Sequence, residues 1–227
     1  MTDPLHGADE TPPPAIAPDG SPVLLYRRLP AGEEPSIIAG AVPPGASILE
    51  LGCGAGRITH PLVRDGFRVT AVDESNAMLA WVHGAERVAA PIEGLALRHR
   101  FDAVVLASHL VNTPDDGRRA RFLDTCRRHV ADGGVVLLEH HPADWLATAA
   151  EGEREVGGVS VALREIRREP PFLSAVAVYT VEGKVFRQPF TVRVLTTEEL
   201  AGVLRAAGLE PARSITPSWT AARPIAG

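Results

Sequence analysis

Cysteine is almost missing from this chain: Cys53 and Cys126 stand alone among 227 residues. Two thiols build no disulfide framework, and their scarcity fits a reducing cytoplasm. Each is expected as a small buried residue rather than a reactive one. Lysine is scarcer still, with Lys184 the single example, and the arginines come in short pairs. At a net charge of −5 the chain lacks the basic stripe of nucleic-acid binders, so no nucleic-acid partner is expected. No apolar run approaches the ~20 residues that span a bilayer, so no membrane partner is expected either. The opening Met1-Thr2-Asp3-Pro4 is acidic where a secretory signal would be basic. The expectation is a cytoplasmic protein, monomer or homodimer.

Apolar residues, by contrast, make up 45% of the chain, enough for one α/β core. Residues 1–22 stand apart, because Pro4, Pro12, Pro13, Pro14, Pro18 and Pro22 leave almost nothing to bury. A disordered tail is expected there, or one that orders only over a ligand. The remainder, 23–227, reads as a single domain. A helix is expected over 33–41. From residue 46 strand and helix alternate, which implies a parallel sheet with helices on both faces. Strands are expected at 47–51, 68–72, 86–88, 101–107 and 135–139. Helices are expected at 57–65, 76–82 and 118–130, the last closed by a left-handed glycine at Gly133-Gly134. Residues 159–195 read as an inserted antiparallel β meander, with Phe190, Val192 and Val194 alternating against Thr191 and Arg193. Thr196 or Thr197 caps a further helix, followed by two short strands.

The segment Ile48-Leu49-Glu50-Leu51-Gly52-Cys53-Gly54-Ala55-Gly56 carries the chemistry. An apolar strand runs into three alternating glycines, and a helical pattern follows. Such a turn lets a ligand approach backbone atoms that a Cβ would shield. The next strand ends on Asp73, where a carboxylate can accept both hydroxyls of a ribose. Strand, glycine turn, helix, strand and acid together describe a nucleoside-binding unit. A dinucleotide fingerprint needs its third glycine one residue later, where this chain has Arg57. That disfavours a nicotinamide-dependent dehydrogenase.

This G-x-G-x-G pattern, with Glu50 before it and Asp73 after it, resembles the class I S-adenosylmethionine-dependent methyltransferases of the small-molecule type. The likeness extends by motif order over roughly 23–224. It implies a Rossmann-like seven-stranded sheet, a transferase of the EC 2.1.1 type, and S-adenosyl-L-methionine as cofactor. By the same resemblance Gly52, Gly54 and Gly56 hold the methionine end of the cofactor, Glu50 orients the turn near the amine, and Asp73 takes the ribose. Glu74 and Met78 would flank the adenine, although Met78 equally suits plain core packing. Relatives often place an aspartate before the fourth strand. Here Ala90-Pro91-Ile92-Glu93-Gly94 stands instead, so Ile92 and Glu93 become the adenine-side candidates.

Open α/β sheets bind ligands beyond the carboxyl ends of their strands. Ser108 to Asn112 and Glu139 to Pro142 should therefore share one rim, with Ser108 on the cofactor side. His109 is the first candidate for a general base and His141 the second, because imidazole titrates near neutrality. A structural role is open for either. Neighbours on a strand face opposite ways, so His140 and His141 should not serve one site. Tyr26, Asn112, His140 and Arg193 are candidate substrate contacts, and Arg164, Tyr179 and Arg187 lie within reach. His109, Glu139 and His141 match no recognised metal spacing, and no metal is expected. Methyl transfer to an oxygen or nitrogen of a small molecule is the expected reaction. A cofactor-binding module of the same fold without catalysis is the alternative.

Overall fold

The computed structural model describes residues 16–226 except Asp19. Residues 1–15 and 19 of the expected proline-rich tail lie outside the described residues. Within the described part, Ile16 pairs with Pro22 in a β-bridge, and Ala17, Ser21 and Pro22 are buried. Ile16, Pro18 and Gly20 stay exposed.

Two short helices, α1 (Val23–Arg28) and α2 (Glu34–Ala39), precede the first strand, β1 (Ser47–Leu51). Then follow α3 (Thr59–Arg64), β2 (Arg68–Asp73), α4 (Asn76–Leu79), β3 (Glu86–Ala89), β4 (Phe101–Leu106), α5 (Asp116–His129) and β5 (Val130–Glu139). A four-residue helix α6 (Trp145–Thr148) leads to four strands, β6 (Gly152–Val156), β7 (Val159–Glu169), β8 (Phe172–Val181) and β9 (Lys184–Arg193). The chain closes with α7 (Thr197–Ala206), β10 (Leu209–Thr216) and β11 (Trp219–Pro224).

The main sheet has seven strands in the order β10-β11-β5-β4-β1-β2-β3. Strands β1 to β5 run parallel, and β11 lies antiparallel to both β5 and β10. β4 is central, and all its residues but Asp102 are buried, as a strand covered on both faces requires. One face packs Leu49, Leu51, Val104 and Leu106 against Phe122, Leu123 and Cys126 of α5 and Leu200 and Leu204 of α7. The other packs Ile48, Val69 and Val105 against Ile38 of α2 and Leu62 of α3. Helices therefore cover both faces, as the alternating pattern requires.

Two helix ends show how the sequence sets the boundaries. Asp115 accepts the Arg118 N–H at 2.9 Å to start α5, and Arg127, Arg128 and His129 sit in its last turn, where the helix dipole favours cations. Thr196 and Glu199 form a reciprocal capping box at the start of α7. The expected glycine cap at the end of α5 is not there. The chain passes directly from His129 into β5, and Gly133 and Gly134 are strand residues. A Cβ on Gly134 would lie 2.8 Å from the Asp102 carbonyl oxygen, so this glycine permits close strand contact at the β4–β5 irregularity.

The inserted meander is one strand larger than expected, because β6 begins at Gly152 rather than 159. Gly-Glu-Arg-Glu-Val has no apolar alternation, and as an exposed edge strand it needs none. Two-residue turns with positive φ, Gly157-Gly158 and Glu182-Gly183, join β6 to β7 and β8 to β9. Among the described residues no helix is long and apolar enough to cross a membrane.

Candidate active site

The site lies beyond the carboxyl ends of β1, β2, β4 and β5. A cavity of about 620 Å³ is lined there by the glycine turn, the ends of those strands, the N-terminal segment and the inner face of the meander. Gly52 and Gly54 both adopt left-handed backbone, with φ of +73° and +55°. A Cβ on Gly52 would fall 2.8 Å from Leu110 Cδ1, whereas one on Gly54 would meet nothing closer than Tyr26 at 3.7 Å. The turn is thus a cradle whose ligand side is open only while side chains are missing. Gly56 departs from expectation, since it does not line the cavity. It shares the left-handed turn, but a Cβ there would strike the His60 ring at 2.6 Å, so it serves helix packing.

Asp73 ends β2 at the cavity wall. Its carboxylate accepts the Gly54 N–H at 2.8 Å and the Ser75 N–H at 2.9 Å, and so locks the turn to the start of α4. Glu50 is 2% exposed and accepts the Thr59 hydroxyl at 2.6 Å. Burial raises its pKa to about 7, against the lowering effects of Thr59 and Arg57. Glu74, Ser75, buried Met78, Ile92 and Glu93 continue the same wall. Glu93 accepts from Arg118 Nε at 2.7 Å.

Across the cavity, Ser108 and His109 both have positive φ, +55° and +57°, a strained pairing for non-glycine residues and one that clusters at working sites. The Ser108 N–H donates to Glu139 Oε2 at 2.6 Å, and His109 Nε2 lies 3.7 Å from Glu139 Oε1. Burial lowers the His109 pKa to about 4, helped by His140 and Arg57, and burial raises that of Glu139. His109 is therefore neutral at physiological pH. The meander adds Arg154, Val161 and Tyr179, which are cross-strand neighbours in one row, while Tyr26 and Leu29 come from the N-terminal segment.

Several expected contacts lie elsewhere. Asn112 is fully buried, donates to the Arg193 carbonyl at 2.8 Å and accepts the His141 N–H at 2.9 Å. It is a clamp between β9 and the end of β5, not a substrate contact. Arg193 is turned to Asp116 and Glu199, and His140 spends both ring nitrogens on Thr220 and the His141 carbonyl. Neither lines the cavity. His141, the second candidate base, is also absent from the wall, with its ring packed between those of His109 and Trp145. Arg164 and Arg187 pair with Glu153 and Glu165 on the opposite side of the meander, around a separate depression of about 360 Å³. Asn112, His140, Arg164, Arg187 and Arg193 read as free, yet each already has a partner within its own fold. Among the described residues, no group of three or more His, Cys, Asp or Glu is placed to hold a metal ion.

Asn112→Ala would leave the half-buried Arg193 carbonyl and His141 N–H without this partner together. A stability loss of about 2–4 kcal/mol is expected, read from denaturant midpoints.

Sequence reasoning missed Arg57 and Arg154. Arg57 donates to the Ala31 carbonyl at 3.1 Å, to the Pro30 carbonyl at 3.4 Å and to the Glu34 carboxylate. It fastens the N-terminal segment onto the glycine turn, and its departure from the dinucleotide pattern was the available signal. Arg154 carried none, because its strand is short and polar.

A family model described as a methyltransferase domain matches residues 48–134. The chain is 33% identical over 110 residues to the ubiquinone biosynthesis O-methyltransferase of Caulobacter sp. (strain K31), and 31% identical over 110 residues to that of Caulobacter vibrioides. Each match covers 41% of this chain and 40% of the relative, so the alignment spans about two fifths of these curated proteins. Among solved structures, the CcbJ methyltransferase of Streptomyces caelestis superimposes with a TM-score of 0.72 at 20% identity, over 90% of this chain and 96% of that one. CalS10, a SAM-bound amino pentose methyltransferase of Micromonospora echinaspora, does so at 0.65 and 23% identity, over 85% and 89%. Residues 48–134 thus match a methyltransferase domain, and the fold is that of solved S-adenosylmethionine-dependent methyltransferases.

Proposed function

We propose that this chain transfers a methyl group from S-adenosylmethionine to an oxygen or nitrogen of a small molecule, in the cytoplasm, with residues 23–227 acting as one domain. The observation that carries the reading is the single cavity reaching from the glycine cradle and Asp73 to His109, Glu139 and the meander. The cradle fits the cofactor on its own terms. Gly52 and Gly54 leave backbone uncovered, Asp73 is held rigid for a ribose, and Glu50 is a buried carboxylate suited to an ammonium group. Met78 and Ile92 offer apolar surface for an adenine, with Glu74 and Glu93 at its edge. When bound, the cofactor supplies an activated methyl group on a sulfonium.

The chain's own residues do the rest. Tyr26, Val161, Tyr179 and Arg154 orient the acceptor, and enclosure by the N-terminal segment and the meander restricts water. His109, neutral because it is buried, accepts the proton that the acceptor's O–H or N–H gives up. Glu139 faces the imidazolium that results. The similar O-methyltransferase of ubiquinone biosynthesis and the similarly folded amino pentose methyltransferase support a small acceptor. The absence of a basic stripe supports the same class.

The test is thermal unfolding with S-adenosylhomocysteine, followed by turnover measured as its formation from S-adenosylmethionine. A ligand at a hundred times its Kd adds about 2.7 kcal/mol. Stabilisation together with turnover that falls at least about 100-fold in His109→Asn is the expected result. No shift at millimolar ligand would sink the reading. Stabilisation without turnover on any acceptor would favour the non-catalytic module.

A further inference from the structure

Behind His109 stands a stack that the reaction as described does not use. The His109 and His141 rings lie 4.1 Å apart at 18°, and the His141 and Trp145 rings 3.8 Å apart at 6°. His141 is held by its main chain, where fully buried Asn112 accepts its N–H at 2.9 Å. Trp145 starts α6, with its N–H donating to the Pro142 carbonyl at 2.9 Å. Its ring joins the apolar cluster of Leu146, Ala149, Leu163, Leu173 and Phe190 beneath the meander. The stack therefore has one end at the cavity wall and the other in the packing of the insertion.

We infer that His141 and Trp145 are positioning residues for His109, fixing the plane of its imidazole so that Nε2 faces Glu139. The physical reason is steric. Ser108 and His109 sit in left-handed backbone at the end of a strand, where nothing in the main chain determines the ring's rotation. A ring covered on one face by a parallel neighbour cannot rotate about its Cβ–Cγ bond without losing that contact. Because both ring nitrogens lie in the imidazole plane, fixing the plane fixes their reach. The same cover keeps water from one face of the ring and so holds it neutral. The charged and titratable groups around it are Glu139 and His140 at the end of β5, Arg57 on the glycine turn, and His141 itself. The arrangement also makes the base answer to the insertion, since whatever loosens the cluster under the meander loosens the ring.

This inference rests on reading His109 as the proton acceptor, but its test needs no turnover. The histidine Cε1–Hε1 resonances are followed by NMR from pH 5 to 8.5, with His109 assigned through His109→Asn. In the wild-type chain His109 is expected to stay neutral throughout. In Trp145→Ala its apparent pKa should rise by about two units, so that it titrates inside the window. Trp145→Phe, which keeps a flat ring, should restore the wild-type curve. His141→Ala, at a half-exposed position, should act like Trp145→Ala and serves if that variant does not fold. The thermal shift with S-adenosylhomocysteine should stay unchanged in every variant, since the cradle is untouched. A His109 titration in Trp145→Ala or His141→Ala that superimposes on wild type overturns the inference, as does failure of Trp145→Phe to restore it. A silent His109→Asn in the turnover assay would instead remove the base itself and leave the stack result standing.

Discussion

An Asp73→Ala variant is expected to lose the stabilisation that S-adenosylhomocysteine confers on the wild-type chain. The carboxylate has two duties that alanine abandons at once. It bonds the Gly54 and Ser75 N–H groups, and so ties the cradle to α4, whose first turn Ser75 caps by accepting the Met78 N–H at 3.3 Å. It also lines the cavity, where ribose hydroxyls would lie. Charge-assisted hydrogen bonds are each worth about 1.5–3 kcal/mol, so losing two weakens binding roughly 100-fold or more. The ligand-free protein should lose about 1–3 kcal/mol as well, from the orphaned N–H groups. Asp73→Asn keeps one acceptor and should fall between the two. Calorimetric titration checks the affinity. If Asp73→Ala binds as tightly as wild type, the sugar lies elsewhere.

Glu50→Gln should do something less intuitive, raising the stability of the ligand-free protein above neutral pH while weakening its affinity for ligand. In the folded chain the Glu50 pKa is about 7, against 4.5 for an ordinary glutamate. The folded state therefore binds this proton more tightly than the unfolded one. Its contribution to stability is fully present below about pH 4.5 and is lost as pH rises through 7. The difference of about 2.5 units corresponds to about 3 kcal/mol at most by pH 8. Glutamine removes the charge but keeps an acceptor for the Thr59 hydroxyl. Unfolding midpoints measured from pH 4.5 to 8 should converge for the two proteins at the acid end and diverge toward the alkaline end, the variant lying higher. With ligand present the order should reverse, because an ammonium group beside Glu50 brings the carboxylate back into its charged form. Binding near pH 6.5 should then release a proton, detectable by titration in buffers of different ionisation enthalpy. Parallel midpoint curves would show that the burial of Glu50 carries no such penalty.

The two predictions concern residues whose positions the sequence made plain, and the reason is local. A strand followed by alternating glycines, and a second strand ending in an acid, fix Glu50, Gly52, Gly54 and Asp73 by backbone geometry alone. The parallel core was legible for a similar reason, since strands buried on both faces must be apolar throughout. The acceptor side was not. Asn112, Arg193 and His140 carry the chemistry of a binding site, yet each is satisfied by a partner 80 residues or so away in sequence. Only the assembled fold shows which polar groups are already spoken for. Gly56 and the pair Gly133-Gly134 make the same point, since what a glycine permits depends on the atom that approaches it. Arg154 escaped notice because β6 is an edge strand with no apolar period to announce it.

Arg57 has a consequence for how this chain can change. A single guanidinium reaches from the cradle to the backbone at Pro30 and Ala31, so the floor and the roof of the chamber share a rivet. Lineages that remodel the roof to accept a different molecule must keep that rivet seated or disturb the glycine cradle beneath it. Divergence should thus be channelled toward the hairpin side of the chamber, where Arg154 and Tyr179 are free to be exchanged.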